Sequence, residues 1–124
     1  MMVPSWIESA VTQFGQAAGL NGLAFASGSA ALRFDNGMSL RFEYHDGELV
    51  MAMCAPVGDI QRLLSLAHPD SNLGFRVRTG ILPKTDEAVI AIRMPEREVT
   101  FVKMNAAFSL LWRLAEEIGG PQWQ

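Results

Sequence analysis

The chain has 124 residues, of which 49% are hydrophobic and 19% charged, and its net charge is -3. Ten basic against thirteen acidic residues leave no stripe to neutralise phosphates, so nucleic acid is excluded as a partner. The longest apolar run, Leu49 to Val57, is nine residues and includes Pro56, far below the roughly 20 a membrane span needs. Such a chain folds as one domain, residues 1–124, with loose ends at 1–4 and 121–124. Its apolar content exceeds what a small domain readily buries, so it reads either as a well-filled core or as apolar surface that in part faces another chain.

The first helix is predicted over residues 5–18. Trp6, Ile7, Ala10, Val11, Phe14 and Ala18 recur at three- and four-residue spacing. Ser5 with Glu8 three residues later reads as a capping box, and Gly19 as a left-handed stop. Residues 20–29 form a small-residue loop. It lacks the Gly-Lys-Ser/Thr of a phosphate loop and the preceding strand of a dinucleotide site, so no nucleotide cofactor is expected.

A meander of three strands follows. Leu32 and Phe34 flank Arg33; Leu40, Phe42 and Tyr44 alternate with polar residues; Leu49 to Cys54 is apolar throughout. Asp35-Asn36-Gly37 and Asp46-Gly47 are hairpin signals between them. The third strand is expected to be covered on both faces. Asp59 then caps a short helix through Ile60, Leu63, Leu64 and Ala67, which ends at His68-Pro69. A strand over 74–81 carries Phe75 and Val77, and a last strand over 88–94 is again apolar on both faces. The final helix covers 100–118, with Thr100 as cap. Its stripe of Phe101, Met104, Phe108, Leu111, Ala115 and Ile118 is widened by Val102, Ala106, Leu110, Trp112 and Leu114. The order is α-β-β-β-α-β-β-α, an α+β fold with an antiparallel sheet and two long helices on one face. The other face must meet something else.

Catalytic chemistry finds little support. The single cysteine, Cys54, excludes an intrachain disulfide and fits a reducing cytoplasm. His45 lies at a hairpin end more than about 20 Å along the strand from Cys54, and nothing places His68 beside it. Glu116 and Glu117 point apart on a helix, and Glu96 and Glu98 flank Arg97 in a turn, so no metal cluster or paired-carboxylate site is expected. Met1 to Ser5 has no basic segment and no long apolar run, and reads as no signal peptide. Met38, Met51, Met53, Met94 and Met104 suit either a core or a surface that accepts varied apolar partners.

The element order on an acidic chain of this size resembles the class I type III secretion chaperones, the CesT/SycE-like superfamily. The opening Ser5-Trp6-Ile7-Glu8 with Phe14 and Gly19-Leu20 is most similar to the SycN branch. So is the last helix, with Ala107-Phe108 and Leu110-Leu111 through Arg113-Leu114. The extension Met1 to Pro4 and the 20–29 loop depart from that branch. The resemblance implies a cytoplasmic, non-enzymatic chaperone without ATP or other cofactor. It would pair as a homodimer, or as a heterodimer with a second small chaperone, through Ile60, Leu63, Leu64 and Ala67 with Phe75 and Val77. It would hold the extended N-terminal segment of a secreted effector or gatekeeper protein on Phe14, Leu32, Phe34, Leu40, Phe42, Met51 and Met53. Two other readings stay open: a roadblock- or profilin-like dimeric scaffold, and a small-ligand-binding α+β domain.

Overall fold

A computed structural model describes residues 3–20, 23, 25, 28–34, 37–56, 75, 77–82 and 87–119. Helix α1 spans Ser5–Ala17. Strands β1 (Ser29–Arg33), β2 (Ser39–His45) and β3 (Glu48–Pro56) form the meander. Strands β4 (Val77–Ile81) and β5 (Glu87–Pro95) follow, then a 3-10 turn over Glu96–Glu98 and helix α2 over Phe101–Gly119. The expected middle helix, with Ile60, Leu63, Leu64 and Ala67, lies outside the described residues.

Pro4, not Ser5, caps α1. The fixed ring of Pro4 holds φ at -55° with extended ψ, and its carbonyl accepts from the Ile7 and Glu8 amides at 3.0 and 3.2 Å. Ser5 is thereby drawn into the first helical position, and no side-chain cap forms. The other end is as expected. Gly19 adopts φ 74°, its amide reaches Gln16 O, and the Leu20 amide reaches Gly15 O at 2.7 Å. This is a Schellman ending, and it turns Leu20 back along the helix. Thr100 also meets expectation: its Oγ1 accepts from the Lys103 amide at 3.1 Å.

All five strands pair antiparallel in the order β1-β2-β3-β5-β4. Asp46 and Gly47 both take positive φ, 48° and 78°, the geometry of a type I′ hairpin turn. Of the strand expected over 74–81, β4 takes Val77–Ile81, and residues 74 and 76 lie outside the described residues.

Registration sorts the strands into two faces. The inner face carries Phe42, Met51, Ile92 and Val77 in one cross-strand row, and Leu40, Met53 and Ile90 in the next. All are buried. The inward stripe of α2 is Met104, Ala107, Leu110, Leu111, Leu114 and Ala115, and α2 packs on β3 and β5. α1 lies against α2, with Ile7, Val11 and Phe14 fully buried. Both long helices thus sit on one sheet face. The expected stripe of α2 holds at Met104, Leu111 and Ala115, with Phe108 half-buried, and fails at its first residue, Phe101. The helix presents Met104 and Ala107 to the sheet and leaves Phe101 and Val102 48% and 77% exposed. The outer face corrects a second expectation. Val50 and Ala52 on β3, and Val89 and Ala91 on β5, are only half-buried, and Cys54 alone of these outward positions is buried.

Candidate functional site

One open groove combines apolar walls with β1, the edge strand of the sheet among the described residues. It lies where the end of α1 and the middle of α2 meet the β1–β2 hairpin, and it holds about 460 Å³. Ala18, Leu20, Phe34, Phe108, Ser109 and Trp112 line it.

Its shape follows from local sequence. The Schellman ending places Leu20 at one wall. Gly15 lets the chain pass close beneath: a Cβ there would sit 3.2 Å from the Leu23 side chain and 3.3 Å from Leu20 O. Phe34 directly follows β1, and its amide donates to Met38 O at 2.8 Å across the hairpin. Phe108 and Trp112 are one helical turn apart and share a face of α2.

These rings form one connected cluster. Phe34 meets Trp112 edge-on at 5.2 Å and 88°, and Phe108 lies 6.0 Å from Trp112. Phe14 anchors the cluster from below, at 5.7 Å from Phe108 and 5.9 Å from Phe42. Edge-to-face pairs of this kind add about 0.5–1.5 kcal/mol each beyond burial. The groove rings are therefore held in place before any partner arrives, although Phe34, Phe108 and Trp112 are only half-buried.

This geometry divides the client-contact residues expected from sequence. Leu32 on β1 and Phe34 just after it stay half-buried, at the edge strand of the sheet among the described residues. Phe14, Leu40, Phe42, Met51 and Met53 show no accessible surface, because both helices cover the inner face. These five are core, and a partner cannot reach them without displacing a helix. Of the expected dimer contacts, Phe75 is half-buried and Val77 is buried in the protomer. Ile60, Leu63, Leu64 and Ala67 lie outside the described residues. Sequence reasoning placed Phe108 and Trp112 only in a wide helical stripe, and that excess width was the available sign of the groove.

The opposite edge of the sheet is different in kind. Glu48, Phe75, Arg78, Arg93, Met94, Pro95, Glu98 and Lys103 line a cavity of about 380 Å³. Lys103 Nζ lies 2.7 Å from Glu98 Oε1, and Arg93 lies 3.5 Å from Glu48. The Lys103 hydrogen bond and charge hold the Glu98 carboxyl below its usual range. Nearby, burial together with the Glu96 carboxylate that accepts its hydroxyl proton pushes Tyr44 up. Burial also pushes the Cys54 thiol up, against a Ser39 hydrogen bond that lowers it, so no thiolate nucleophile is poised there. Among the described residues no cluster of His, Cys, Asp and Glu could hold a metal ion.

Residues 6–119 match the model of the type III secretory system chaperone SycN family. The chain belongs to that family of secretion chaperones. No curated protein sequence matches it. Its fold is shared with a chain of the ExsC-ExsE complex, at 17% identity and TM-score 0.76, covering 94% of this chain and 93% of that one. The HopA1-SchA chaperone-effector complex gives 19% identity and TM-score 0.71, covering 94% and 98%. The Yersinia pestis type III secretion chaperone SycH, solved with a stable fragment of YscM2, gives 19% and 0.67, covering 90% and 98%. The sheet order and paired helices of the SycN-family chain are thus those of secretion chaperones. No helix among the described residues is long and apolar enough to cross a membrane.

Proposed function

We propose that this SycN-family chaperone holds an extended segment of a secreted effector or gatekeeper protein along β1, with the segment's apolar side chains in the Phe34–Phe108–Trp112 groove. One observation carries the reading: a preformed, half-exposed aromatic groove lies beside β1, the edge strand of the sheet among the described residues. An added strand gains backbone hydrogen bonds from the edge and specificity from the groove. Ordering a disordered segment costs entropy, and rings already locked against Phe14 keep the chaperone's own share of that cost low. The HopA1-SchA complex, whose fold matches, is a chaperone with its effector bound.

The chaperone acts in the cytoplasm, without catalysis and without a cofactor. It works as a homodimer or with a second small chaperone. Ile60, Leu63, Leu64 and Ala67, with Phe75 and the edge of Val77, are the proposed contact.

The test is co-purification from the native host, with mass spectrometry of what stays bound. The reading expects a protein that is also recovered in the secreted fraction, protected from protease over its N-terminal segment. Phe34→Asp and Trp112→Ala should each weaken its retention about tenfold or more. Retention unchanged in both folded variants would move the client elsewhere.

A further inference from the structure

We propose that Arg33 decides which segments the β1 edge accepts, an inference that rests on the client site proposed above: the added strand alternates apolar residues, which enter the groove, with acidic residues, which meet Arg33 on the opposite face of the sheet.

Three observations carry it. The first is alternation. Successive side chains of a strand point to opposite faces. Leu32, and Phe34 just after β1, turn to the helix side, where the Phe34 ring meets Trp112 at 5.2 Å. Ala31 and Arg33 turn to the outer face, and both are exposed. Directly paired residues of neighbouring strands share a face, so a strand added to β1 repeats this order. When its apolar residues enter the groove, the residues between them pass over Ala31 and Arg33.

The second is position. β2 flanks β1 on one side, and among the described residues no strand flanks it on the other. A client residue directly opposite Arg33 has its Cβ about 4.5–5.5 Å from that of the arginine. Arg41 is paired with Ala31 and stands one strand farther back.

The third is charge. Among the described residues Arg33 has no ion-pair partner. Its cross-strand row runs Arg33–Ser39–Cys54–Val89 and holds no acid. Glu43 is paired with Ser29, four residues along the strand from Arg33, or about 14 Å. It shares a cavity with Arg41 and lies 3.7 Å from His45, so Arg41 already has a carboxylate for company. Glu87 is three strand spacings across the sheet, again about 14 Å. Glu48 lies against Arg93. Asp35 lies outside the described residues. An acid opposite Arg33 stabilises the added pair, and a like charge there destabilises it. A charge on a sheet edge also deters unwanted strands, so one residue both admits and rejects.

The test titrates methyl-labelled protein with two extended peptides of about nine residues. Both alternate the same leucines and valines with charged residues, Glu in one and Lys in the other. With a charge at every second position the outcome does not depend on register. The Glu peptide should shift the methyl signals of Ala31 and Leu32 and bind about fivefold tighter than the Lys peptide. High salt should erase that preference. The chain's net charge of -3 would by itself favour the Lys peptide. Arg33→Glu should invert the preference. Arg33→Gln should abolish it, and serves if the reversal variant fails to fold. Arg41→Gln should keep most of it. Equal binding of the two peptides with Leu32 shifted leaves the groove as the client site and overturns the role of Arg33 alone. A preference lost in Arg41→Gln but kept in Arg33→Gln does the same. No shift at Ala31 and Leu32 with either peptide overturns both this role and the client site. Ala31 and Leu32 signals that change with protein concentration alone would show a second copy on this edge, and overturn both as well.

Discussion

The two edges of the sheet are built from opposite chemistry. At β1 the chain gathers Phe34, Phe108 and Trp112 into a cluster whose rings sit 5.2 to 6.5 Å apart. At β4 and the end of β5 it gathers Glu48, Arg78, Arg93, Glu98 and Lys103, in part as exposed ion pairs. Apolar burial is non-directional and large per contact, so the β1 edge can accept many sequences that share a hydrophobic pattern. Surface ion pairs contribute little energy but penalise a wrong partner. One edge is suited to holding a variable segment, and the other to selecting a defined neighbour.

The largest expected effect separates the groove from its foundation. Phe14→Ala removes a fully buried ring that touches both Phe42 and Phe108. It should cost about 3–5 kcal/mol, read as a lower urea midpoint at unchanged slope. Trp112→Ala removes only a half-buried wall and should cost less than half as much, while weakening client retention more. Equal losses of stability would mean that the groove is simply core, and would dissolve the contrast between the edges.

An intermediate effect is expected where the second subunit should attach. The protein, alone or with a paired small chaperone, should sediment near twice 13.6 kDa. Leu63→Asp should shift it to the monomer at micromolar concentration, because association would bury an unpaired charge. A folded variant with an unchanged dimer would place the contact on another surface.

Much of this contrast was legible in the sequence. Alternation in Leu40-Arg41-Phe42-Glu43-Tyr44 is a two-residue period, and it marked both the strand and its buried face. Glycines in Asp46-Gly47 and Gly19 marked conformations that other residues adopt at a cost, and both turned out as read. What periodicity cannot give is which of two apolar faces stays open. Met51 and Val50 are neighbours of similar hydrophobicity, yet one is fully buried and the other half-exposed, because both helices pack on the same side. The expected client residues Phe14, Leu40, Phe42, Met51 and Met53 lie in the protomer's core for that reason. Strong apolar patterning marks the core first, and a binding surface shows as the surplus. Phe108 and Trp112 were visible only as extra width on a helix, since their link to Phe34 is a tertiary contact. The capping box failed more locally, because the fixed φ of Pro4 starts the helix one residue early.

The smallest effect tests the charged edge. The Lys103 ammonium holds the Glu98 carboxyl below its ordinary value, so this pair stabilises the fold above the carboxylate's unfolded pKa. That contribution is lost as pH falls through the depressed folded value. Both side chains are about two-fifths exposed, and water screens the pair. Lys103→Ala should therefore leave the neutral-pH melting temperature nearly unchanged and its salt dependence slightly reduced. Between wild type and variant, any difference at pH 7 should shrink as the pH is lowered below the usual glutamate range. A large neutral-pH loss on Lys103→Ala would mean that the β4 edge carries stability as the aromatic edge does. Ion pairs here would then be holding the protomer together, and selection of a neighbour would have to reside in the apolar residues alone.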